Sequence, residues 1–463
     1  MIKTKNKSFD MTVGSPIKIL LMFAVPIFLG QLFQQFYNVV DTKIVGEKLG
    51  DTKIAAMGSV GTVYYLLNSI ANGMNNGCAI VVARMFGAKD ADGLKKTIAH
   101  MFCIDLISSA LFMTAGLLFI DLIMRAMEVT EQIYDDARIY LLITLCGMVT
   151  AMMYNMFAAI LRATGDSRTP LYFLIGSSIV NVLLDLALVP SFGVGGAAAA
   201  TVFSQALSAI MCFLFIIRNK PEFRLRRQDF RLDKKLLGEL LSLGFSMGII
   251  SSLVAFGGTA MSRAANILSS IEGFGEDVIT ARTAGGRIDG FIMMPLSTMG
   301  TALATFVGQN RGAGRPDRIR KAVKDAFIAG AAWITLGIGV IYIFGGSLVK
   351  WLTGSDKETV ERFAKTYMRI NVPCFYMLMV LVSLRSVLQG FGKKIIPIVT
   401  AVAELVLKFF AAEVLTPELD FIGICIAEPI IWTVGAVIVA VVYFRTVVRP
   451  MKDKEQNIQK IKK

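Results

Sequence analysis

The chain is poor in the side chains on which soluble enzymes rely. Of its 463 residues only 18% are Asp, Glu, Lys or Arg, against about 25% in soluble domains. With 55% hydrophobic residues beside that shortage, an ordinary soluble fold is excluded. Histidine is reduced to one residue, His100. It opens an apolar stretch beside a basic loop, where an interfacial structural role suits it better than proton relay. The six cysteines (Cys78, Cys103, Cys146, Cys212, Cys374 and Cys425) all lie in apolar stretches. They show neither metal-ligand spacing nor a disulfide pattern, and they read as small hydrophobes. No zinc motif, nucleophile–base constellation or phosphate loop occurs, so an integral membrane enzyme is only a remote alternative. No resident cofactor is implied.

What the chain has instead is apolar sequence of helical length. A membrane span needs about 20 apolar residues. Twelve stretches qualify: 17–41, 54–83, 98–124, 137–161, 170–190, 194–217, 239–268, 278–307, 323–349, 362–388, 395–415 and 422–444. Several exceed the bilayer thickness, so they tilt or protrude. They use nearly the whole chain and leave no room for a soluble domain. The first is not a signal peptide, because it is too long, lacks a small-residue cleavage site and ends in Asp41.

The net charge of +14 follows topology and is not a nucleic-acid signal. When alternate loops are assigned to one side, starting with the N-terminus, that side carries 33 Lys and Arg and the other side 8. Such asymmetry orients the chain with its basic loops inward. Both termini are then expected in the cytoplasm, which requires an even number of spans in the cytoplasmic (inner) membrane.

The sequence also repeats itself. Residues 87–96 (GAKDADGLKK) match residues 312–321 (GAGRPDRIRK) at a shift of 225. Leu161-Arg162-Ala163-Thr164-Gly165 with Pro170 matches Leu388-Gln389-Gly390-Phe391-Gly392 with Pro397 at a shift of 227, and Pro190 pairs with Pro417 at that same shift. The shift spans six helices, so both copies share one orientation. The expected fold is an all-α integral membrane protein, with twelve transmembrane helices in two six-helix bundles related by a parallel, pseudo-two-fold repeat. The bundles are read as 1–217 and 239–446, joined by a basic cytoplasmic linker at 218–238 and followed by a basic tail at 447–463. Arg224, Arg226, Arg227 and Arg231 suit a linker lying on anionic headgroups.

Polar residues inside the spans mark the candidate pathway. Gln31, Gln34, Asn38 and Asp41 are spaced three, four and three apart and so share one helix face. Asp inside a span costs about 2.5–3.5 kcal/mol on insertion scales. Ser177, Asn181 and Asp185 share a face of the fifth span, Asn68, Asn72 and Asn75 one of the second, and Thr201, Ser204 and Ser208 one of the sixth. The Asn and Ser stripes alone suit plain interhelical hydrogen bonding. Asp41 and Asp185, with Asn181 and Thr201, supply hard oxygens for a small cation or a proton. Glu404 and Lys408 are spaced to pair along one helix and neutralise each other, the alternative being that they line the pathway and shape substrate choice. Gly73-x-x-x-Gly77 and Gly286-x-x-x-Gly290 are spaced for close helix packing. Pro26, fifteen residues before Asp41, is a hinge candidate or an inert kink.

Three segments resemble the multidrug and toxic compound extrusion (MATE) family. They are Ala24-Val25-Pro26 with Asn38-Val39-Val40-Asp41-Thr42, the loop Ala163-Thr164-Gly165-Asp166-Ser167-Arg168-Thr169-Pro170, and Asn181-Val182-Leu183-Leu184-Asp185. The resemblance covers about residues 14–446 and is nearest to the DinF-like prokaryotic branch. It implies Asp41, Asn181, Asp185 and Thr201 as members of an amino-lobe cation site. Another branch carries an essential Glu on the seventh helix, and this chain has none there. Its carboxyl lobe departs further, with Arg282, Arg287, Asp289, Glu404, Lys408 and Glu413 in or near the spans.

The expected function is a secondary active antiporter that exports organic, cationic compounds under an inward H⁺ or Na⁺ gradient. Candidate substrate contacts are Gln34, Asn38, Asn68, Asn72, Glu404 and Lys408. The expected partners are a small organic substrate and membrane lipids, with no nucleic acid and no obligate protein partner implied. A flippase for lipid-linked precursors is the alternative, kept open by Arg263, Arg282, Arg287 and Arg385.

Overall fold

The computed structural model describes residues 10–271 and 274–450. The expected basic tail lies outside the described residues from residue 451 onward. The long helices are α1 (Pro16–Leu49), α2 (Asp51–Gly87) and α3 (Ala91–Leu118), then α4, which joins Glu131–Cys146 to Met148–Ala163 through a 44° bend. Two further helical stretches, Arg168–Asn219 and Ile395–Val448, run 52 and 54 residues. At 1.5 Å per residue each would span about 80 Å, more than twice the hydrocarbon thickness. The backbone divides both. Gly193 (φ 59°, ψ −141°) separates α5 (168–192) from α6 (194–219), and Asp420 (φ 50°, ψ −133°) separates α11 (395–419) from α12 (421–448). Between them lie α7 (Lys234–Ser269), α8 (Gly275–Gly312), α9 (Pro316–Thr353) and α10 (Glu358–Gly390). Twelve membrane-spanning helices result among the described residues, six in each half of the chain.

The repeat is visible in the backbone itself. Eleven described residues have positive φ, and ten of them form five pairs at a shift of 225 to 227: Gly50 with Gly275, Lys89 with Gly314, Glu128 with Gly354, Gly165 with Gly392, and Gly193 with Asp420. The break between the last two helices of each half also closes in the same way. A Cβ on Gly196 would stand 2.6 Å from the Leu188 carbonyl oxygen, and one on Gly423 would stand 2.3 Å from that of Leu415, the same two positions 227 residues on. At Asp420 a non-glycine residue holds this conformation, where a Cβ costs about 1–3 kcal/mol of strain.

Packing divides the chain into two units, Val25–Ser251 and Ser252 onward with Gly14–Ala24. The start of α7 therefore belongs with the amino-terminal unit, and glycine explains how. Gly73 and Gly77 on α2 abut the Met247 and Leu243 backbone, with Gly244 and Gly248 opposite. Without side chains the two backbones meet directly. Arg84 adds a two-pronged bond to Glu239 at 2.6 and 2.8 Å. The second glycine motif behaves otherwise. Gly286 and Gly290 have nothing within 4 Å of a Cβ, and it is Gly285 that meets Tyr367. The expectation of close packing at Gly286-x-x-x-Gly290 is therefore corrected, because its spacing points that face away from any neighbour.

Caps and loops fix the remaining ends. Asp90 accepts the Gly93 amide at 2.9 Å and starts α3. Asp166 accepts the Thr169 amide and hydroxyl at 3.0 and 2.8 Å and starts α5. Buried His100 donates from Nδ1 to the Lys96 carbonyl at 2.8 Å, and its Nε2 accepts the Asp233 amide at 3.1 Å, so it fastens the linker to α3. Asp233 in turn accepts the Leu236 and Lys235 amides, which hold its carboxyl below the usual range, and so caps α7.

Candidate functional site

The amino-terminal unit brings Asp41 of α1 against Asp185 of α5. Asp185 is fully buried, and Asn181, one turn before it, is 2% exposed. Neither carboxylate can donate a hydrogen bond. Asp41 Oδ1, both Asp185 oxygens, and both polar atoms of the Asn181 amide are buried without a partner. Among the described residues no Lys or Arg acts on either acid. Two adjacent carboxylates in an apolar setting need a proton or a cation between them. Thr201 stands half-buried on α6, with no hydrogen bond to these residues. Ser208 donates to Ser177 and ties α6 to α5. Three tyrosines that the sequence did not single out, Tyr37, Tyr64 and Tyr140, lie within electrostatic reach of the acids or of one another.

The other predicted residues are placed as follows. Gln34 and Asn38 are exposed on α1, and Pro26 is buried within it. Asn72 donates to Asn68 Oδ1 at 3.2 Å, and Asn155 of α4 donates to the same oxygen at 3.3 Å. Asn75 leaves that stripe and donates to Asp105 Oδ1 at 2.8 Å. Asp105, 2% exposed with Oδ2 unpartnered, is a further buried acid of this unit. Sequence reasoning missed it, because it stands alone in an apolar run. The unpaired reach of Asn75 past its stripe was the only signal.

The carboxyl-terminal unit differs in kind. The expected Glu404–Lys408 pairing within one helix is corrected. Glu404 is bound by Arg385 of α10, their side chains 13% and 11% exposed, and Lys408 is bound by Glu428 of α12 at 3.0 Å. Both partners come from neighbouring helices, which helical spacing cannot reveal. Arg263 lies 3.8 Å from Glu413. Here Glu404 and Glu413 each meet a cation while Asp289 keeps an unpartnered oxygen, and in the amino-terminal unit Asp41 and Asp185 have no such cation.

A twelve-helix membrane protein with an internal repeat and polar residues buried within its spans has the construction of a transporter. The comparisons agree. The MatE family model matches residues 26–187 and 259–412, and the chain belongs to that family of multidrug efflux transporters, which are not enzymes. It is 27% identical over 367 residues to "Probable multidrug resistance protein YpnP" of Bacillus subtilis, covering 78% of this chain and 80% of that one. It is 24% identical over 441 residues to an "FAD transporter" of Shewanella oneidensis, covering 90% and 92%. In fold it matches the structure described as "Crystal structure of MATE in complex with MaL6", with a TM-score of 0.88 at 20% identity, over 97% of this chain and 100% of that one.

Proposed function

We propose that the protein is an antiporter that exports organic cations across the cytoplasmic membrane, driven by inward movement of H⁺ or Na⁺. The observation that carries this reading is the uncompensated pair Asp41 and Asp185. A buried acid pair without a cationic neighbour must take up a proton or a metal ion, and exchange of that occupant is what couples a gradient to transport. The Asn181 carbonyl and the Thr201 hydroxyl would complete an oxygen set for Na⁺. Pro26, on the same helix as Asp41, is the element through which the state of the acid would alter helix shape.

Cationic cargo fits the unpartnered acids Asp41 and Asp185 of the amino-terminal unit, and the 24 Met and 31 Phe offer adaptable apolar and cation–π contact. A lipid-linked phosphate, or an anionic cargo of the kind named for the Shewanella relative, would need free cations. Lys408, Arg385 and Arg263 are already engaged by Glu428, Glu404 and Glu413, which leaves Arg282 and Arg287 as the cations that could serve such a cargo. The loop asymmetry supports cytoplasmic termini and a cytoplasmic linker at 218–235. A Gln228→Cys substitution should then react with impermeant thiol reagents only from the inside.

Flux of an organic cation in proteoliposomes, with Na⁺ and pH jumps applied separately, tests the function. Uphill export under one of the two gradients is expected. Flux indifferent to both would remove the antiport reading.

A further inference from the structure

The two halves can be compared position by position because the shift of 227 holds at both ends of the fifth helix and at the start of the sixth, at Gly165 with Gly392, Gly193 with Asp420 and Gly196 with Gly423. On that register Asn181 corresponds to Lys408, Thr201 to Glu428, Ser177 to Glu404 and Asp185 to Ala412. The positions that hold neutral oxygens beside the acid pair in the first half thus hold an ammonium and a carboxylate in the second, in contact at 3.0 Å. The acid lost at Ala412, which lies in a π turn at Ala411–Leu415, is replaced from another helix. Asp289 of α8 is 4% exposed, its Oδ1 has no partner, and the charge that acts on it comes from Glu428.

The lysine is seated rather than draped. Its side chain and that of Glu428 are 12% and 18% exposed. Its stem runs past Gly257 of α7, where a Cβ would stand 2.6 Å from Lys408 Cδ. Glycine at that position leaves the channel that the stem fills.

We propose that Lys408 is a tethered cation. Its ammonium occupies, in the carboxyl-terminal half, the place that an exchangeable H⁺ or Na⁺ takes in the amino-terminal half, and the Glu428 pocket is an alkylammonium site filled from within. This rests on reading Asp41 and Asp185 as the exchangeable-ion pair. It explains how a duplicated fold couples to its gradient through one half only. A carboxylate closed by a fixed ammonium has no need of a mobile ion, and the same carboxylate without it has such a need.

The test uses the full-length chain in detergent, carrying Asp41→Asn and Asp185→Asn to silence the first site. Thermal unfolding is followed with methylammonium and, at equal ionic strength, with choline, which is bulkier and has no N–H donors. The background protein should respond to neither, because the lysine fills the pocket. Adding Lys408→Ala should lower the unfolding midpoint and make it rise saturably, by several degrees, with methylammonium alone. Adding Glu428→Gln as well should abolish that response and recover part of the lost stability, since it removes the charge left unpaired. Equal responses to methylammonium and choline in the Lys408→Ala protein, or a Glu428→Gln addition that recovers nothing, would overturn the proposal. If Lys408→Ala gives no folded protein in either salt, recovery of folded yield by Glu428→Gln is still required, and its failure overturns the proposal too. If the background protein itself still responds to Na⁺, the fault lies with the amino-terminal assignment and not with the lysine.

Discussion

Alanine at Gly77 and alanine at Gly286 are the same chemical change in two buried-helix motifs of the same spacing, and the structure gives them opposite signs. At Gly77 the new Cβ would lie 2.4 Å from the Leu243 carbonyl oxygen, 2.7 Å from its carbon and 2.9 Å from Gly244 Cα. All three are backbone atoms, so no rotamer change relieves the clash. To restore van der Waals separation α2 and α7 must part by roughly 1 Å. Overpacking of this kind costs about 1–3 kcal/mol. The gain from replacing glycine inside a helix offsets about 1 kcal/mol of it. A net loss of up to about 2 kcal/mol is therefore expected for Gly77→Ala. At Gly286 nothing lies within 4 Å of the new Cβ, so only the propensity gain remains, up to about 1 kcal/mol. Thermal unfolding in detergent should show Gly77→Ala several degrees below the parent and Gly286→Ala at or above it. Equal shifts for the two, or a larger loss at Gly286, would refute the packing argument.

Other predictions test the polar interior. Arg385→Ala or Glu404→Gln alone leaves a buried charge unanswered and should cost about 3–5 kcal/mol, while Arg385→Met with Glu404→Met should be near neutral; monodisperse yield and unfolding midpoint separate the two cases. Asn75→Ala should destabilise by about 1–3 kcal/mol, because the Asp105 oxygen loses its donor, and Asp105→Asn on that background should recover part of the loss in the same assay. Asp277 is held below the usual carboxylate range by its hydrogen bonds to Lys357 and to the Thr359 hydroxyl. Its stabilising contribution is present above the ordinary carboxylate pKa and fades as pH falls through its lowered value. The midpoint gap between the parent and Asp277→Asn should therefore close at acid pH, and a gap that is constant with pH would contradict the clamp.

Much of this was legible in the sequence, for identifiable reasons. Membrane spans announce themselves by length and apolarity, and all twelve expected stretches coincide with helices. The repeat was readable from the glycine and proline loops because those residues fix backbone turns that both halves need. The acid pair was readable because an Asp in an apolar helix is costly and the amides beside Asp41 and Asp185 share its face. Contacts between helices were not readable. Spacing suggested Glu404 with Lys408 because it registers only neighbours along one helix, whereas the true partners, Arg385 and Glu428, come from α10 and α12. Asp105 was passed over for want of a companion on its own helix, since its donor is on α2. The two glycine motifs looked alike because spacing does not tell which helix face meets a neighbour.

The central claim is that Asp41 and Asp185 form one ion site. Asp41→Asn, Asp185→Asn and the double variant should be compared by ion-driven flux of an organic cation in proteoliposomes at matched protein levels. Each single variant should abolish gradient-driven export while remaining folded, and the double variant should be no worse than either, because residues of one site do not act additively. Glu404→Gln beside them should keep its ion coupling. Wild-type export by both single variants, additive partial losses, or uncoupling by Glu404→Gln while Asp41→Asn stays coupled would contradict the account.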